Sequence, residues 1–192
     1  MIQPINSYSQ TIATAYSIAG AGVDVKLAKG ASVQSVVTVT TPSAGTFTAA
    51  ASDICTKTAH GMLTGLKVRV STTTTLPGGL SAATDYFVIK IDADTFYLAT
   101  SLANAQAGTK IDITSAGTGT HTITPTAIAG ASVKYQGSAD DVNYTDLGTS
   151  NNITATANFI YEKVDPMINY IRAYYTLTAG QISVVQTTTV KG

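Results

Sequence analysis

Residues 58–70 read TAHGMLTGLKVRV, residues 72–100 continue as TTTTLPGGLSAATDYFVIKIDADTFYLAT, and residues 101–121 run SLANAQAGTKIDITSAGTGTH. In 67–71, Val68 and Val70 alternate with Lys67 and Arg69, the period of a strand with one face buried and one wet. Residues 86–91 and 96–99 are β-branched and aromatic runs joined by Asp92-Ala93-Asp94, which predicts a hairpin. Leu76-Pro77-Gly78-Gly79 reads as a turn, 80–84 as one helical turn, and Ser101 as the N-cap of a short helix over 102–106 that Gly108 stops. Strands at 111–114 and 120–124 complete a small β module, placed at 50–127.

On either side the chain keeps the same character. Residues 1–22 are polar, rich in Gly, Ala and Ser, and unpatterned, and are expected to form an extended N-terminal arm. Strands are expected at 24–26 and 33–40, with a loop at Thr41-Pro42-Ser43-Ala44-Gly45. Beyond the module, VKYQGSADDVNYTDLG (133–148) reads as strand, polar turn and return strand, and further strands are expected at 153–161, 170–176 and 182–190. In 170–176 the alternation sets Ile171, Ala173 and Tyr175 against Tyr170, Arg172 and Tyr174. Gly-Ala-Ser-Val occurs at 30–33 and again at 130–133, opening a strand on each side of the module. The organisation that follows is a host domain of 23–49 plus 128–192, interrupted by the module.

Composition agrees with an all-β fold. Thirty-three of the 192 residues are threonine and only Glu162 is a glutamate, so helix-forming runs are missing and strand-favouring residues abound. Charged residues are 11% and the formal net charge is zero. Nucleic-acid binding normally needs a basic face, so this balance argues against it. Few charges also leave little to oppose self-association, which suits a protein built into an assembly. Cys55 is the sole cysteine, which excludes an intramolecular disulfide. No apolar run of 18 residues is present and no basic segment precedes an apolar one near residue 1, so neither a membrane partner nor a secretory signal is expected and the chain is read as folding in a cytosol.

The central motifs resemble a module recurrent in virion proteins of tailed bacteriophages. Its running pattern is AHG-x-x-TG-x-x-V-x-V, LP-x-GL-x-x-x-T-x-Y-x-VI, F-x-LATS-x-x-xA and a closing GTGTHT. The segment QGSADDVNYTDL (136–147) resembles the Q-G-S-x-D-G-x-N-aromatic-T-D-L turn of jelly-roll sandwiches, both galactose-binding-like domains and phage decoration proteins. FIYEKVDPMINYIRAYYT (159–176) resembles the strand pair that follows it there. Asp141 stands where the pattern has glycine, and aspartate tolerates the left-handed backbone such a turn requires.

These resemblances imply an antiparallel, jelly-roll-like β-sandwich carrying an inserted small β-barrel-like module. They imply a structural component of a phage virion, made in the host bacterial cytoplasm and most readily placed as a head decoration protein. Its partners would be copies of itself and the major capsid protein or a neighbouring tail protein. The alternative is a tail or fibre component, with a host glycan as ligand.

The residues that could carry chemistry each have a structural reading. His60 and His121 stand at the two ends of the module and would form a two-histidine metal site if it closed on itself. A structural zinc wants four ligands, and Cys55 brings the candidates only to three, without metal-type spacing. Nothing near Cys55 in sequence lowers its pKa, so it reads as a small buried apolar residue. Asp140, Asp141 and Asn143 could offer oxygens to calcium, but no glutamate follows at EF-hand distance, and Asp and Asn favour turns; Asp92 and Asp94 read the same way. Gly117-Thr118-Gly119-Thr120 lacks the lysine of a phosphate-binding loop. Tyr161, Tyr170, Tyr174 and Tyr175 suit either a sugar platform or an interface. The sequence therefore predicts no enzyme, no cofactor and no metal, and one candidate surface-binding loop made of Asp140, Asp141, Asn143 and Tyr144.

Overall fold

The computed structural model describes residues 12–16, 20–21, 25–26, 31–39, 41–153, 163–164, 170–177 and 179–190. In chain order the elements are β1 (Ile12–Tyr16), β2 (Gly20–Ala21), β3 (Val25–Lys26), β4 (Ala31–Val39), β5 (Gly45–Ala49), β6 (Cys55–Thr56), β7 (Lys67–Thr72), β8 (Asp85–Lys90) and β9 (Thr95–Ala99). They continue with α1 (Leu102–Gln106), β10 (His121–Pro125), β11 (Ala131–Ser138), β12 (Thr145–Asp146), β13 (Asn151–Ile153), β14 (Lys163–Val164), β15 (Tyr170–Thr176) and β16 (Ile182–Val190). The fold is all-β and antiparallel, and α1 is the only helix among the described residues.

Two compact units emerge. One comprises 41–127 with Ala179–Gln181, the other the remainder of the chain. The first is a closed barrel in the order β10-β5-β6-β9-β8-β7. Closure removes the free sheet edges that a small β module would otherwise expose. Its strands alternate as period two demands: Val68, Val70, Tyr86, Val88, Phe96 and Leu98 point inward, and all are at most 3% exposed. Phe47, Met62, Leu66, Ile113 and Ile123 fill the remaining interior. On the outside, Lys67 and Arg69 of β7 both bridge to Asp85 of β8, which is opposite Arg69 in the register.

The second unit holds a four-stranded sheet, β1-β16-β4-β14, and a sheet ordered β12-β11-β15-β2, with β13 also pairing β11 and β3 pairing β15. The β4–β16 ladder runs from Val39 opposite Ile182 to Ala31 opposite Val190.

Several expectations need correction. Residues 1–22 are not simply an arm, because β1 pairs with β16 and β2 with β15. Ile12-Ala-Thr-Ala-Tyr16 lies in a stretch dominated by small and polar residues and pairs with a strand about 170 positions away, Ile12 opposite Gln186. The rest of 1–22 lies outside the described residues, as do 154–161 of the strand expected at 153–161. The barrel unit begins ahead of residue 50: β5 belongs to it, because Phe47 and Ala49 face its core while Thr46 and Thr48 face water. Residues 80–84 form a turn with Ala83 at φ 59° rather than a helical turn. Residues 111–114 are irregular, since the Ile111, Ile113 and Thr114 amides go to three separate acceptors: Leu98 O, Asp53 Oδ1 and Gly78 O.

Candidate functional site

The loop after β11 was the candidate site, and its geometry comes from one carboxylate. Asp140 Oδ1 accepts from the amides of Val142 (3.0 Å) and Asn143 (2.9 Å) and from Ser138 Oγ (2.8 Å), while Oδ2 accepts from Asn143 Nδ2 at 2.7 Å. These donors, the Asn143 amide first, hold the Asp140 carboxyl far below the usual range. Asp141 takes the left-handed conformation expected of it, at φ 66°, and its Oδ1 accepts from Tyr144 Oη at 2.6 Å. The four residues are thus brought together, but as a self-satisfied turn. A cation would have to displace the donors that already occupy Asp140. Among the described residues no three metal-capable side chains converge anywhere.

A larger feature lies beside this loop, on the outward face of β11 and β15. The register sets Gln136 opposite Arg172, Lys134 opposite Tyr174 and Ser132 opposite Thr176. Arg172 Nε donates to Gln136 Oε1, Gln136 Nε2 donates to Asp146 Oδ1, and Lys134 Nζ to Asp146 Oδ2, each at 2.9 Å. The Gln136 hydrogen bond and the Lys134 charge lower the Asp146 pKa. The Arg172 guanidinium lies 3.7 Å from the centre of the Tyr144 ring, and Lys134 lies 5.3 Å from that of Tyr174. Planar hydrogen-bonding groups and aromatic rings thus form a continuous strip. The alternation of 170–176 placed Tyr170, Arg172 and Tyr174 on one face; Gln136 and Asp146 belong to the quoted turn pattern, but their pairing with Arg172 and Lys134 had no sequence signal. Tyr161 and the side chain of Tyr175 lie outside the described residues.

The two histidines do not meet. His60 packs edge-on against Phe96 (5.2 Å), Phe96 against Phe47 (6.4 Å), and Phe47 against His121 (5.7 Å), so two phenylalanine rings stand between the imidazoles. His121 Nε2 must carry a proton, because its partner is the Ala116 carbonyl at 3.0 Å; Nδ1 faces Thr72 Oγ1 at 2.9 Å. His60 Nδ1 accepts from the Met62 amide at 2.9 Å. Cys55 is fully buried, and desolvation, aided by nearby Asp53, pushes its thiol up to about 12. A free thiolate nucleophile is not available there.

The remaining motif residues serve turns and caps. Ser101 Oγ accepts from the Asn104 amide at 3.1 Å as the α1 N-cap, and Gly108 ends the helix at φ 73°. The glycine-rich 117–120 stretch pairs with 73–75 through Thr73 N to Thr120 O (3.1 Å) and Thr118 N to Thr75 O (2.9 Å). Gln181 carried no signal in the sequence. It is 5% exposed, accepts from the Leu63 amide at 2.9 Å and donates to the Gly61 carbonyl at 2.8 Å. No family model, characterised protein or solved structure matches this chain.

Proposed function

We propose that this chain is a structural component of a tailed-bacteriophage virion, most readily a head decoration protein that stabilises the capsid through protein–protein contacts. The observation that supports it best is the use made of the module's motif residues. His60, the 78–79 and 117–119 glycines, Leu98 to Ser101 and His121 all serve to close and cap a small barrel. A motif whose residues are spent on architecture marks a building block. The two sheets of the other unit are read as the layers of a jelly-roll-like sandwich, and the partners as further copies and the major capsid protein or a neighbouring tail protein. Sparse charge over a threonine-rich surface suits such packing. The chain would reside in the virion after synthesis in the bacterial cytoplasm.

Electron microscopy of purified particles, with antibody labelling, tests this. Copies on the head lattice are expected; absence from particles overturns the proposal. A second reading, a tail or fibre component that binds a host glycan, draws on the polar and aromatic strip of Tyr144, Arg172, Gln136, Asp146, Lys134 and Tyr174. Tail labelling together with glycan-array binding that Arg172→Ala abolishes would put it first.

A further inference from the structure

The 59–63 loop is tied down at both ends and in the middle. At its start, Ala59 N donates to Asp94 Oδ1 (2.7 Å) and His60 N to Ala93 O (3.0 Å). In the middle, Met62 N donates to His60 Nδ1 (2.9 Å), and the carbonyl of Gly61 and amide of Leu63, either side of Met62, are gripped by Gln181. Gln181 stands 118 residues from Leu63 and belongs to the same compact unit. We propose that His60 is an acid-sensitive latch, whose protonation opens the 61–63 turn and frees the Ala179–Gln181 segment from it.

The argument is geometric. His60 Nε2 faces the Thr95 carbonyl at 3.4 Å, so it carries the proton and Nδ1 is the acceptor. An imidazolium has a proton on both nitrogens. Its new Nδ1–H would confront the Met62 N–H, two donors in a space of 2.9 Å, and that contact must break. The imidazole cannot simply swing into water: it is 2% exposed, edge-on to Phe96, and the Met62 side chain beside it is fully buried.

The charged surroundings do not rescue the cation. Lys57 and Lys90 approach from the ends of β6 and β8 and repel it. Asp92 and Asp94 approach from the β8–β9 turn, and Asp92 attracts the cation, but Asp92 Oδ1 accepts from the Asp94 and Thr95 amides and Asp94 Oδ1 from the Ala59 amide, and the attraction does not outweigh burial. Desolvation, with a smaller contribution from the lysines, therefore lowers the His60 pKa against the opposing main-chain bonds to Thr95 and Asp92. A histidine depressed in the folded state stabilises it fully above the unfolded value of about 6.5, and the contribution is lost as pH falls from there through the folded value.

The test is amide hydrogen exchange, corrected for intrinsic rates, on the full chain at pH 7.5 and 5.0. With about 1.5 units between the open-state pKa and pH 5.0, protection at Met62, Leu63 and the Gln181 side chain should fall, by about thirty-fold at most. The Val68 and Val88 amides in the barrel strands should keep theirs. His60→Asn should hold protection at both pH values, because an asparagine oxygen accepts from the amide two residues on without titrating. Unchanged protection overturns the latch, as does an equal fall in His60→Asn or a fall shared by Val68 and Val88. Should His60→Asn not fold, ring-nitrogen NMR of the wild type decides: a native His60 midpoint below the free value of about 6.5 supports the latch, and a midpoint at or above it overturns it.

Discussion

Gly108 and Gly117 form a matched pair that separates two reasons for a glycine. Their φ angles are 73° and 72°, so an alanine at either position meets the same left-handed strain. A Cβ at Gly108 would meet nothing within 4 Å, whereas at Gly117 it would lie 2.5 Å from Thr75 O and 2.7 Å from Pro77 N. Those neighbours are main chain and belong to the ribbon that 73–78 forms with 114–120, so they cannot rotate away. Left-handed strain of about 1–2 kcal/mol, less the roughly 0.4–1 kcal/mol gained by stiffening the unfolded chain, leaves about 1 kcal/mol for Gly108→Ala. Gly117→Ala adds an overpacking cost of about 1–3 kcal/mol, giving about 2–4 kcal/mol in all. Native-state hydrogen exchange at Val68 and Val88 reads the barrel specifically and avoids assuming that the whole chain unfolds in one step. If Gly117→Ala proves no more destabilising than Gly108→Ala, the close approach of the two loops is not what the glycine serves.

Asp140→Ala removes the acceptor of three donors on one oxygen, and limited proteolysis should then nick the chain at 139–144 while the barrel stays intact. Because the folded Asp140 pKa is depressed, the wild-type loop should keep its resistance down to about pH 4, the unfolded aspartate value, and lose it only as the pH falls further. Cys55, buried and raised to about 12, should resist thiol reagents in the native protein and react fully in urea; rapid native labelling would contradict its place in the core.

The barrel was the most legible part of the fold because its information is local. Val68 and Val70 against Lys67 and Arg69, the turn between 91 and 95, and the Ser101 cap with Gly108 behind it all act within a few residues, and the strands and helix form where they point. Reading failed where a segment's state depends on distant chain. Residues 111–114 have the apolar alternation of a strand, but Asp53, 60 positions away from Ile113, takes the amide that a ladder would use. β5 looked like the tail of the host domain because the break at Thr41 to Ala44 does not say on which side a new domain begins. What assigns β5 to the barrel is Phe47 packing against Phe96 and His121.

The same distinction governs the candidate site. Ser138 to Asn143 was recognisable as a turn because aspartate and asparagine bond their own neighbourhood, and a ligand at Asp140 would have to compete with those same donors. The strip beside it becomes a surface only through the register of β11 on β15, which places Arg172 over Gln136 across 36 positions of chain. A slip of one residue in that pairing would set Arg172 and Tyr174 of β15 on the face opposite Lys134 and Gln136 of β11, so the strip depends on the register. It follows that the strip and the buried Val133 and Tyr135 between its members are coupled: a substitution that loosens those two should disperse the strip before it unfolds the strand.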